Sequence, residues 1–234
     1  MLCAKLMTLL VIAADAVTYS GRLVEVVDPG TNPGSLFPKA EAKVCVTGQQ
    51  AKNCYTAPKG FGREPKLSVI DLSKGEQAMF FEVASGGVSG WSVHFALLKF
   101  CDQEQSPGCT LNELGNYLPD DVSVSAQSRH AWWEVSEFSD SKIFLTADWV
   151  WSPGGTKNSA HRYNVSVFAL RSHDENEARY YLVDRFMTAR SYLLNQRGDL
   201  ADVLGEEKQE ILSRLKMVKA AWTEESTVIK PKQE

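Results

Sequence analysis

Between His130 and Tyr163 the chain gathers residue types that do chemistry or hold ligands: His130, Trp132, Trp133, Asp148, Trp149, Trp151, His161 and Tyr163. Four of the six tryptophans of the 234-residue chain fall there. Trp and Tyr offer flat apolar faces with a polar edge, while Asp and His supply directed hydrogen bonds, a mixture that suits a sugar ring or a partner surface. In an extended segment Trp149 and Trp151 share the parity of Ile143, Leu145 and Ala147, so both are expected in the core. Trp132 and Trp133 are adjacent and must point to opposite sides, which leaves one ring for a ligand. Asp148 has the other parity, beside Thr146. It sits on the solvent face, pairs with Arg162 or His161 across a hairpin, or belongs to a site. The candidate ligand-binding residues are therefore Trp132, Trp133, His130, Asp148, His161 and Tyr163.

An acid–base reading of the same residues asks more of them. A hydrolase using Asp148 with His130 or His161 needs carboxylate and imidazole to converge in a cleft within hydrogen-bond reach. The other catalytic signatures are missing. Gly87-Val88-Ser89-Gly90 looks like a nucleophile elbow, but Trp91 stands where the last glycine belongs and no helix pattern follows. There is no phosphate-cradling loop, no H-E-x-x-H and no calcium loop. His94, His130, His161 and His173 lack metal-ligand spacing. No catalytic residue, metal or cofactor is assigned.

The cysteines and the first residues bear on compartment. Met1 to Lys5 carries one positive charge, Leu6 to Ala14 is apolar, and Ala14-Asp15-Ala16 fits a small-x-small cleavage site, the layout of an export signal over 1–16. The apolar run is too short to span a bilayer, which takes about 20 residues. Cys45 and Cys54, and Cys101 and Cys109, form two close pairs around polar turn-like residues. The local pairing Cys45–Cys54 and Cys101–Cys109 is the expected disulfide framework. Zinc would want C-x2-4-C spacing and a neighbouring His pair. With a net charge of −4 and signs interspersed, the chain shows no basic stripe, so nucleic acid is not an expected partner.

Strand patterns fill the region 17–195. Val17–Asp28, Lys43–Thr47, Lys66–Leu72, Gln77–Ala84 and Arg179–Tyr192 are rich in β-branched and aromatic residues or alternate with period two. Trp91–Phe100 is apolar on both parities, as a strand covered on both faces would be. Ala57–Pro65 reads as a Gly/Pro-rich connection, and Leu111–Tyr117 is left open, a short helical turn with Thr110 or Asn112 as cap being one reading of it. Ile143–Trp151 and His161–Leu170 flank a turn-rich segment and read as an antiparallel hairpin. Tyr163, Val165, Val167 and Ala169 lie on its core side, and Arg162, Asn164 and Ser166 on a wetter side. In the segment 196–222 Leu204, Lys208, Ile211, Leu215, Val218 and Trp222 recur at steps of three and four, an amphipathic helix of about four or five turns. Residues 223–234 read as a disordered tail. The fold class is mostly β, antiparallel and sandwich-like, of roughly seven to nine strands with a C-terminal amphipathic α-helix packed on it.

Two segments, Trp91-Ser92-Val93-His94-Phe95-Ala96-Leu97-Leu98 and Asp184-Arg185-Phe186-Met187-Thr188 with the later Glu-Ile-Leu-Ser-Arg-Leu helix, resemble uncharacterised secreted bacterial β-rich proteins over about a third of the chain. The resemblance implies export and brings no activity with it. Three functions follow as expectations. The leading one is a non-catalytic extracellular or periplasmic binding module for carbohydrate or protein. The others are the secreted hydrolase above and an envelope-assembly protein acting through its C-terminal helix.

Overall fold

The computed structural model describes residues 16–47, 53–87, 91–101, 113–125, 127–151, 154–156, 159–172, 178–193 and 202–228. Residues 1–15 of the expected leader (1–16), Cys109, His173 and the last six residues lie outside them. Among the described residues the chain is mostly antiparallel β, in three sheets followed by two helices.

The first sheet runs in the order β1 (Ala16–Tyr19), β2 (Arg22–Val27), β3 (Lys43–Thr47), β4 (Cys54–Thr56). The expected single strand over 17–28 is a hairpin instead. Ser20 and Gly21 both adopt positive φ, 50° and 73°, between the paired residues Tyr19 and Arg22. Two consecutive positive φ values define the tight turn whose twist matches that of the flanking strands. Cys45 and Cys54 face each other in register on β3 and β4 and are joined by a disulfide. Opening this loop, for example with Cys54→Ser, is expected to lower stability by about 2–3 kcal/mol. The urea midpoint of Cys54→Ser against wild type, both oxidised, measures it, and coincident midpoints would deny the staple a role. Cys101 is also disulfide-bonded.

The second sheet holds β5 (Phe61–Ser73), β6 (Glu76–Ser85), β7 (Ser92–Phe100) and β8 (Leu114–Asn116), with β9 (Ser123–Ser125) paired to the start of β7. The third holds β10 (Arg129–Trp133), β11 (Ile143–Trp149), β12 (Tyr163–Ser172) and β13 (Ala178–Met187) in chain order. Leu114 to Asn116, left open by the sequence between a helical turn and other structure, is thus a strand. It pairs with Leu98 to Phe100, and tertiary pairing outweighs weak local preference. Phe61 to Pro65, read as a connection, opens β5, with register shifts around Arg63.

Alternation along the strands explains the layering. On β6 and β7, Met79, Phe81, Val83, Ala96, Leu98 and Phe100 pack with the first sheet around Val24, Val26 and Val44. Their neighbours Ala78, Phe80, Phe95 and Leu97 turn the other way, onto Phe144, Phe168 and Tyr180 of the third sheet. The middle sheet is therefore covered on both faces. The far face of the third sheet, with Ile143, Leu145, Val165 and Val167, packs on Val203, Leu204, Ile211 and Leu215. These last four belong to α1 (Val203–Glu206) and α2 (Lys208–Val228). The order is sheet, sheet, sheet, helix.

The helical layer is held by more than its apolar stripe. Asp202 caps α1 by accepting from the Gly205 N–H at 3.1 Å. Arg214 of α2 donates to both carboxylate oxygens of Asp184 on β13, at 2.6 and 3.0 Å, the two-pronged geometry a guanidinium favours. The backbone of α2 continues to Val228, past the expected end at Trp222.

Candidate functional site

The expected aromatic and titratable residues are spread over both faces of the third sheet. Trp132 and Trp133 do point to opposite sides, but both sides are covered. Trp132 stands opposite Phe144 in register and lies in the inter-sheet core, its ring centroid 4.7 Å from that of Phe144 and edge-on to Phe80 and Tyr180. Trp133 lies on the helix side, with the Lys208 ammonium 5.8 Å from its ring centroid. Tyr163 is buried on that same side, edge-on to Tyr192. Burial raises the pKa of its phenol.

His130 lies among Phe80, Phe95 and Phe144, with Nε2 3.3 Å from a Glu82 carboxylate oxygen. Desolvation lowers its pKa, Glu82 opposes this, and Lys66 and Arg129 reinforce it. Asp148 turns elsewhere. Its Oδ1 accepts from the Ser125 N–H and hydroxyl, both at 2.9 Å, and from the Ser128 hydroxyl at 2.7 Å. Arg162 does not pair with it, donating instead from Nε to the Thr188 carbonyl. His161 is 3% exposed and lies on the helix side of the sheet against Trp149, ring centroids 4.1 Å apart. Its Nε2 and Nδ1 lie 2.8 and 3.3 Å from the carbonyl oxygens of Thr156 and Val150. No hydrogen bond joins Asp148 to either histidine among the described residues.

Register does bring some of these residues together. Across β10 to β13 one row reads Trp132, Phe144, Phe168, Leu182. The next, two residues along, reads His130, Thr146, Ser166, Arg185, and the next Asp148, Asn164, Met187. All three rows face the middle sheet, and the face changes from apolar to polar along the strands. Over β11 to β13 the polar rows floor a cleft of about 280 Å³, closed by Pro119 and by residues 121–124. Arg185 Nε donates to the Ser166 hydroxyl at 3.1 Å. The Asn164 side-chain amide has no hydrogen-bond partner among the described residues.

Trp151 departs from expectation. Its parity placed it in the core, yet it is 62% exposed, two residues past the end of β11 at Trp149. Its ring stacks on that of Trp149, centroids 5.4 Å apart at 20°, and lies 5.9 Å from the anchored His161 ring. The polar pair His94 and Tyr55 also escaped sequence reading. His94 is 1% exposed, 3.0 Å from the Tyr55 hydroxyl and against Phe61. Burial pushes its pKa down to about 4 and the Tyr55 phenol well above its ordinary value, the nearby Asp120 acting in the opposite sense on His94. These contacts of His94 are made between strands distant in sequence, and sequence carries no sign of them.

Among the described residues no His, Cys, Asp and Glu group could hold a metal ion. No helix there is long and apolar enough to cross a membrane. No protein-family model matches the chain, and no curated protein or solved structure proves similar to it.

Proposed function

We propose that the chain is an exported, non-catalytic binding module for carbohydrate, which it contacts with Trp151. The observation that carries this reading is the exposed, rigidly backed indole. Trp149 lies under Trp151, and His161 holds that pair through contacts to two backbone carbonyls. A large ring fixed before the ligand arrives loses little freedom on binding. Its apolar face suits the C–H face of a sugar, and its edge remains polar. Export is supported by the leader pattern at 1–16 and by the Cys45–Cys54 disulfide, which persists in an oxidising compartment. The titratable groups named for the hydrolase each serve another partner, which favours binding over turnover.

The test is a glycan and cell-wall-fragment array probed with the mature chain and with Trp151→Ala, folding checked by circular dichroism. An exposed aromatic anchor predicts a loss of about 30-fold in affinity, the size of an interface hot spot. A wild-type chain that binds no glycan, or a variant that binds as well as wild type, discards the reading.

A further inference from the structure

We propose that the cleft between the third sheet and residues 119–124 is a second binding site, built for one neutral, hydroxyl-rich sugar unit. It goes beyond the Trp151 reading, because Asp148 and Trp149 are consecutive on β11 and face opposite sides of the sheet. A glycan stacked on Trp151 therefore does not lie in the cleft.

The floor of the cleft is the first argument. Thr146 is 3% and Ser166 6% exposed, so two hydroxyls line the base of a cavity rather than a wetted surface. In the adjoining row the same inward positions hold Phe144 and Phe168, which are packed. Polar residues brought to an inward face are costly unless something satisfies them. Asp148 is satisfied at Oδ1 by Ser125 and Ser128, and Arg185 at Nε by Ser166. Asn164, between them, is half-buried and turns its amide to the cleft without a hydrogen bond to another described residue. A pocket with a few converging polar groups and apolar walls is the usual form of a small-ligand site. Here Phe168, Leu182, Val122 and Val124 supply the walls.

The remaining hydrogen-bonding capacity selects the ligand class. The Asn164 amide offers two donors and an acceptor, the Thr146 hydroxyl offers both, the Arg185 guanidinium offers donors and the second Asp148 oxygen accepts. An anion brings only acceptors and meets two carboxylates, Asp121 and Asp148, against one guanidinium. A cation brings only donors and meets Arg185. A sugar hydroxyl both donates and accepts, and its ring carbons suit the Leu182 and Phe168 walls. At about 280 Å³ the cleft lies at the small end of ligand pockets, room for one or two rings.

The experiment is an amide NMR titration of the full-length mature chain. Probes are glucose, galactose, mannose, N-acetylglucosamine and sorbitol, with inorganic phosphate and glycine as charged controls, and oligosaccharides of the best sugar. Saturable shifts at Asn164, Ser166 and Arg185, with a roughly millimolar Kd for the free sugar, are expected. Tighter binding of the oligosaccharide at the same amides identifies the end of a glycan as the source, and equal binding identifies the free sugar. Asn164→Ala, which removes no hydrogen bond of the fold, should weaken binding at least about tenfold, and Arg185→Leu likewise. Trp151→Ala should leave it within about twofold, which separates this site from the platform. The inference is overturned if no sugar or polyol gives saturable shifts in the cleft, if phosphate or glycine alone does so, or if both cleft variants bind as wild type.

Discussion

Truncating Phe144 to alanine lowers the stability of the chain by about 3–5 kcal/mol, the range for large aromatic deletions at packed sites. Phe144 is fully buried where the second and third sheets meet. Its ring lies 5.4 Å from those of Phe80 and Phe95, 4.7 Å from Trp132 and 6.0 Å from Phe168. The neighbours come from four strands of two sheets, so the void cannot close without moving both, and the cavity persists. Urea unfolding followed by tryptophan fluorescence gives the difference. The matched control is Leu182→Ala at the end of the same row, 42% exposed and expected to cost under about 1 kcal/mol. If the two variants unfold at the same midpoint, the inter-sheet seam is not the core that its ring contacts describe.

Acidification destabilises the protein through His94. Its pKa stands near 4 in the folded chain against an ordinary 6.5, so between these values the unfolded chain binds the proton and the folded one does not. Stability then rises with pH across that window. It is complete above about pH 6.5 and lost as pH falls towards 4, by about 3 kcal/mol at roughly 1.36 kcal/mol per unit. His130, also lowered in pKa, tilts the same way. The readout is the urea midpoint from pH 4 to 7.5 in wild type and in His94→Gln, which keeps a hydrogen-bonding partner for Tyr55 without a proton to gain. The variant should lose most of the slope in that window. An unchanged slope would assign the acid sensitivity to other groups.

The hairpin of the third sheet was the most legible part of the sequence. Period-two alternation sorted Tyr163, Val165 and Val167 from Asn164 and Ser166, and Trp91–Phe100 announced a strand covered twice. The stacking of three sheets rather than two was less visible, because Met79, Phe80 and Phe81 of the middle sheet are apolar on both parities as well, and a run so short does not say that two layers claim it. Trp151 misled for a related reason. Parity gives the side of a strand, but not whether another layer covers that side at the strand's end. The polar cleft was the least legible feature. His130, Thr146, Ser166 and Arg185 are neighbours only once four strands are in register, and Leu114–Asn116 becomes a strand only through its pairing with β7. Asp148 was singled out, but its serine partners at 125 and 128 come from a stretch with no strand signal of its own.

The alternation along β12 has a consequence for how this chain can change over generations. Its odd-numbered residues Tyr163, Val165 and Val167 are read by the helical layer, and the even-numbered Asn164 and Ser166 by the cleft. The strand thus behaves like a text in two interleaved frames. Deleting one residue before Phe168 would swap the readers, setting valines in the cleft and an amide with a hydroxyl beneath α2. Core and candidate site share one length even though they share no side chain. Lineages can revise the cleft letter by letter, but a change of length there has to come two residues at a time.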